Sequence, residues 1–282
     1  MIQTWLLLTF IFMCFGVSIE MMFRILGQKS KDEVLSTICW QICALFTALL
    51  CIPFFSGGFA FEFKVFLLLL ISGIFFALSD TLQTIARKRL EVGTASVLFN
   101  ISTVFLFIFG VVQLKEPLIL TKVLGCFIIL TSVFVLFFKD FSFKPNKSWV
   151  YMLGSGLFYA AGVSLFASDL SYLNLAFYSS ITYIVPALIL IAYKKFNVNE
   201  IIQEFKIQPL TYVISGFVIA MGFIVLISAL KIGEVSRITP ITATVPLFSV
   251  IASYFILKEN SDLINKIIAA FLVAIGVYFT VI

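Results

Sequence analysis

Ten stretches of about 20 mostly apolar residues, each long enough to cross a bilayer as a helix, govern what this chain can become. They fall at 3–26, 34–55, 64–86, 92–114, 118–138, 149–167, 172–193, 210–230, 235–257 and 264–282. The links between them are too short for a soluble domain. The runs are continuously apolar, whereas membrane barrel strands alternate polar and apolar residues over about ten positions. Helices also close their own backbone hydrogen bonds, which lipid requires. The balance of residues agrees: 62% are hydrophobic and 12% charged, against about a quarter charged in soluble domains, and the mean hydropathy is +1.15. The first run is long, with no basic leading region and no small-residue cleavage site, so it reads as a membrane helix and not as a signal peptide. The expected fold class is an all-α integral membrane protein with ten transmembrane helices.

The same sequence narrows the chemistry. It contains no His, which removes the commonest general base and many metal sites. Five cysteines, Cys14, Cys39, Cys43, Cys51 and Cys126, all fall within the apolar runs and read as small apolar filler. No metal ligand set and no nucleotide-binding P-loop is present, so neither a cofactor nor ATP-driven work is expected. The net charge of +5 is spread over the links and speaks for orientation in the bilayer, not for nucleic acid.

An internal repeat organises the runs. When residues 80–137 are laid on 223–280 without a gap, Ala86 meets Ala229, Lys88 meets Lys231, Glu91 meets Glu234 and Val92 meets Val235. Lys115-Glu116 meets Lys258-Glu259, and each pair closes one apolar run shortly before the next begins. The chain thus divides into a first half, 1–140, and a second half, 148–282, joined near the polar KDFSFKPNKS at 139–148. Five helices per half is an odd number, so the halves are expected to be inverted relative to one another. Inverted repeats are a hallmark of secondary transporters, whose substrate sites lie between the repeats near the midplane.

These features resemble the EamA-type transporters of the drug/metabolite transporter superfamily. The resemblance rests on LKEPLILTKVLG at 114–125, with Glu116 and Gly125, on VPLFSVIASYFILKE at 245–259, with Pro246 and Glu259, and on Gly276 in the last run. Two departures stand out: Ile268 occupies the position matching Gly125, and Thr103 the position matching Pro246. The resemblance implies that the fourth and ninth runs line a cavity and that amino acids or their derivatives are carried. The Lys-Glu pairs themselves read as markers of helix ends and tight turns.

Ionisable groups inside membrane helices are costly and default to functional candidates. Glu20 is one; an i,i+4 pair with Arg24 is its equal structural alternative. Asp80 lies deep in the third run, with Gln83, Thr84 and Arg87 on the same face, and this stripe reads as a cavity lining or as an Asp80–Arg87 ion pair. Asp169 reads as a loop residue. Asn100 and Thr103 share a face of the fourth run with Ser96. Thr239 and Thr242, beside Pro240, open the ninth; each Thr can equally bond its own helix backbone. Tyr159 and Tyr183 present phenols to substrate or anchor at the interface. Ladders of small residues such as Gly156, Ala160, Ser164 and Ser168 serve close packing.

The expected function is secondary transport of a small polar metabolite across the inner or plasma membrane by alternating access. Its partners are the bilayer, the substrate, and a coupling proton or counter-substrate. A membrane-embedded enzyme acting on a lipid or isoprenoid would need acids, His or Cys converging on one spot. A scaffold would need no repeat. Fourteen of the 19 Lys and Arg fall in links after odd-numbered runs, which places that side in the cytoplasm and both termini outside. The resemblance implies the reverse, and the count is preferred; on either basis the termini share a side.

Overall fold

The computed structural model describes residues 4–58, 63–113, 119–137, 147–166, 174–195, 197–232, 238, 241–242 and 244–281. The described residues are overwhelmingly helical. In chain order the helices are α1 (Thr4–Lys29), α2 (Glu33–Cys51), α3 (Phe63–Arg87), α4 (Val92–Phe99), α5 (Ile101–Gln113), α6 (Leu120–Phe137), α7 (Lys147–Phe166), α8 (Leu175–Tyr193), α9 (Val198–Ile207), α10 (Pro209–Ile232), α11 (Val245–Ile256) and α12 (Leu263–Val281). Among the described residues seven segments are long and apolar enough to cross a membrane: Thr4–Lys29, Glu33–Phe54, Phe66–Arg87, Val92–Phe109, Leu175–Tyr193, Pro209–Ala229 and Leu263–Thr280. Leu120–Leu136 and Val245–Ile256 are shorter apolar helices. Outward-facing side chains such as Leu50, Phe127, Phe217 and Phe255 are large, apolar and exposed, the surface that lipid covers and water would not tolerate.

Local chemistry sets the helix ends. The Asp32 carboxylate accepts from the amides of Val34 (2.9 Å) and Leu35 (3.0 Å) and starts α2. Asn174 does the same for α8 through Ala176 and Phe177. Each cap satisfies amides that the first helical turn leaves open. Glu91 occupies the N-cap of α4 without a capping side-chain bond of its own, a point that matters below.

The fourth apolar run is not one helix. It breaks at Asn100 (φ −66°, ψ −7°), between α4 and α5. The Asn100 amide nitrogen donates back to the Ser96 carbonyl (2.8 Å), and the Asn100 carbonyl accepts from Thr103 N–H (3.0 Å). In the ninth run α11 starts only after Thr244, with Pro246 in its first turn, where a missing N–H costs nothing. The link between the runs at 172–193 and 210–230 holds α9, an amphipathic helix that the apolar-run reading does not contain. Its Glu204 is buried, accepting from Tyr212 Oη (2.9 Å) and Lys31 N (3.3 Å), which fastens α9 against α10 and the α1–α2 link.

The packing repeats when helices of the first half are exchanged for their counterparts in the second. α3 lies along α7, and α1 lies along α10. α3 meets α8 as α2 meets α10; α4 and α5 meet α7 as α1 meets α11. The remaining large contacts, α2 with α8 and α6 with α12, join counterparts directly. Small residues permit these approaches. A Cβ on Gly73 would lie 2.2 Å from Val185 of α8, and one on Gly216 would lie 2.4 Å from Cys43 of α2. Trp40 and Tyr183, themselves 143 residues apart like Gly73 and Gly216, meet edge to face at 6.4 Å.

Candidate functional site

One end of the bundle is closed by ion pairs. α1, α3, α8 and α11 end there; α2, α4 and α12 begin there. Arg24 Nε donates to Glu259 at 2.9 Å, with both side chains about nine-tenths buried, and Arg24 Nη1 donates to the Arg87 carbonyl at 2.7 Å. Glu259 reaches this position through a tight turn. Lys258 takes a left-handed conformation (φ 57°), and the Glu259 amide donates back to the Ser253 carbonyl at 3.2 Å. The other oxygen of Glu259 accepts from Val92 N (2.7 Å), the first amide of α4. Glu259 therefore caps a helix of the other half, doing what Glu91 does not. Glu91 instead pairs with Lys266 of α12. Arg87, wholly buried, pairs with Glu20 at 2.6 Å, and its guanidinium stands 5.4 Å from the Phe23 ring centroid. Lys194 at the end of α8 pairs with Asp32 at the start of α2. For Asp32, burial raises the carboxyl pKa, but the Lys194 hydrogen bond and charge and the amides of Leu35 and Val34 outweigh it, so the net value lies below the ordinary one.

From this end a polar seam runs inward between α2 and α3. Glu33 accepts from Lys88 at 2.9 Å. One turn deeper, Thr37 and Thr84 share a hydroxyl bond at 3.0 Å. A further turn on, Gln41 Nε2 donates to Asp80 at 2.7 Å. The rungs step by four residues on each helix, in opposite directions, as antiparallel neighbours one turn apart require. Asp80 thus sits roughly 10 Å along α3 from Arg87.

Around Asp80 the seam opens onto aromatic side chains from both halves. The carboxylate interacts electrostatically with the phenols of Tyr159 on α7 and Tyr183 on α8. Tyr178, also on α8, interacts with both. Tyr159 leans on Phe99 (5.2 Å) and Phe76 (6.1 Å), and Tyr178 stacks on Phe223 of α10 at 5.9 Å. Asp80, Tyr159, Tyr178 and Phe223 are half-buried, whereas Arg87, Ala86 and Gln41 are fully buried. Gln41 Oε1 and Trp40 Nε1 are buried there with no protein partner.

The site unites some of the sequence candidates and separates others. Asp80 and Tyr159 belong to it, with Tyr183 beside them; Gln83 is buried one turn below on the same helix. Asn100 follows Phe99 at the α4–α5 break, and Thr103 bonds across that break. Glu20 stands apart, at the closed end. The expected i,i+4 pair with Arg24 and the expected Asp80–Arg87 pair are both replaced: Glu20 takes Arg87, Arg24 takes Glu259, and Asp80 takes Gln41. Thr242 is half-buried ahead of α11. Thr239, Pro240, Lys115, Glu116 and Asp169 lie outside the described residues. Gln41, Tyr178 and Phe223 were not legible as site residues, although Glu33, Thr37 and Gln41 recur every fourth position in an otherwise apolar run. Phe223 is the repeat counterpart of Asp80, so the two halves present different chemistry at matching positions.

An all-helical, lipid-facing bundle with a polar interior built from both halves defines a multi-pass membrane protein of the transporter class. Residues 3–138 and 191–282 match the EamA-like transporter family, and the chain belongs to it. No curated relative matches the sequence.

Proposed function

We propose that this protein is a secondary transporter of the plasma membrane, built from ten spans in two inverted halves, that moves a small polar solute past Asp80 by alternating access. The ten spans are the seven long segments, α6, α7 and α11, with α9 lying at the interface. Inversion is supported by the closed end, where α8 finishes beside the start of its counterpart α2, and α11 finishes at the amide that starts its counterpart α4.

The observation that carries the reading is the contrast in depth along one seam. Ion pairs bind helices together at one end, and two turns above stands Asp80, half-buried near Tyr159 and Tyr183, with Gln41 as its hydrogen-bond partner. Such pairs can separate and re-form as units, and they give the two arrangements of the halves a discrete energetic difference. Uptake by proteoliposomes of a labelled panel of amino acids, amines and sugars tests it. Saturable uptake of at least one solute, lost in Asp80→Asn, is expected. Uptake indistinguishable from empty liposomes for every solute, under both proton and sodium gradients, would remove the proposal.

A further inference from the structure

We propose that the solute recognised at Asp80 is an organic cation, bound as an ammonium group between the carboxylate and the surrounding aromatic faces. This rests on the transporter reading and adds the substrate's charge to it. A carboxylate withdrawn from water needs compensation, by a counter-charge or by donors. Three acids at the closed end have a cation beside them, Glu20 with Arg87, Glu259 with Arg24 and Glu91 with Lys266, while buried Glu204 is met by two neutral donors, Tyr212 Oη and Lys31 N. Asp80 has one neutral donor, Gln41. Among the described residues no Lys or Arg is bonded to it, and the nearest on its helix, Arg87, is held by Glu20 and lies against Phe23. The protein therefore leaves the half-buried Asp80 with one neutral donor and no bonded counter-charge among the described residues.

The neighbours fit the same ligand. Tyr159 and Tyr183 interact electrostatically with Asp80, and Phe76, Phe99 and Phe223 pack against these two rings. Ring faces attract cations, most strongly where water is excluded. Gln41 Oε1, buried and without a protein partner, is an acceptor for an N–H of the same ligand. The arrangement also discriminates against a zwitterion. An amino acid's carboxylate needs a cation or a set of donors, and the described groups around Asp80 offer phenols but no charge.

Charge can be separated from shape experimentally. Binding of tritiated choline, putrescine and benzyltrimethylammonium to the purified protein in nanodiscs is measured by scintillation proximity, with competition by the uncharged tert-butyl analogue of choline and by zwitterionic amino acids. At least one cation is expected to bind saturably. The uncharged analogue and the amino acids should compete about tenfold or more weakly, the scale of one strong interaction. Asp80→Asn, which keeps the Gln41 contact, should abolish binding. Tyr159→Phe, which keeps the ring, should retain it, and Tyr159→Leu should lose it. The inference is overturned if none of the three cations binds, if the uncharged analogue competes equally, or if Asp80→Asn binds like wild type. Uptake of an amino acid that cations do not compete would overturn it while leaving transport intact. Cation binding with no uptake of any solute would uphold the inference and remove the transporter reading.

Discussion

Glu259 illustrates how a single side chain gains two structural roles by being buried. It neutralises Arg24 and caps α4 at the same time. Glu259→Ala removes the charge partner and the helix cap together, and a broken buried pair costs about 3 to 5 kcal/mol. Glu259→Gln keeps an acceptor for Val92 and should be milder, and replacing both Arg24 and Glu259 by Met should be milder than the alanine change. Denaturant unfolding in detergent reads that ranking; an alanine variant as stable as wild type would show the pair to be idle. Asp32 predicts a pH effect. Its folded-state pKa is depressed, so its contribution is present above the unfolded carboxylate value, about 4, and is lost as pH falls through the lower folded value. The melting midpoint should therefore drop below about pH 4, and part of that drop should be absent in Asp32→Asn, which can still cap α2 but has no charge to offer Lys194.

At the scale of elements, the bundle depends on where backbones touch. α6 and α12 cross at Gly125 and Gly276, where a Cβ on Gly125 would lie 2.5 Å from the Gly276 carbonyl oxygen. Backbone cannot yield as a side-chain tip can, so Gly125→Ala must push the two helices apart. A loss of 1 to 3 kcal/mol, the usual scale of overpacking, is expected. Gly154→Ala is the control, since its nearest neighbour, Leu82, would stand 3.5 Å away. Yield of monodisperse protein and melting midpoint compare the two, and equal behaviour would exclude the crossing as a determinant. The Asn100 break belongs to this scale too. It frees backbone from the α-helical ladder beside Phe99, whose ring supports Tyr159, and so shapes the wall of the site.

For the whole molecule, the proposed movement of one half against the other would break and remake equivalent contacts. Thr4, where α1 starts, and Val281, where α12 ends, lie opposite the ion-paired end, which gathers Arg24, Arg87, Lys88, Lys194 and Lys266. Basic residues favour the cytoplasmic side, so the closed end should face the cytoplasm. Impermeant maleimide should label a cysteine introduced at Thr4 in intact cells and should fail to label one introduced at Lys195, in a background without the native cysteines. The reverse pattern would defeat the charge argument. In Asp32→Cys/Lys194→Cys, a short bifunctional crosslinker should arrest transport and leave binding at Asp80 in place.

The helical, membrane-spanning character of the chain and its family resemblance were legible because lipid imposes its demand locally: each run must be apolar over its own length, whatever it packs against. Asp80 stood out as a candidate for the same reason, since an acid inside such a run is conspicuous. The partners of the charges were not. A surface i,i+4 pair such as Glu20–Arg24 stabilises by only about 0.3 to 0.5 kcal/mol, whereas a buried Arg87 without a counter-charge would cost several. Glu20 therefore turns to Arg87, and Arg24 to Glu259, which lies 235 residues away. Nor could local pattern reveal Gln41, Tyr178 or Phe223. Their place beside Asp80 follows from the antiparallel register of α2 on α3 and from the approach of α8 and α10, and only the packing of distant helices decides those.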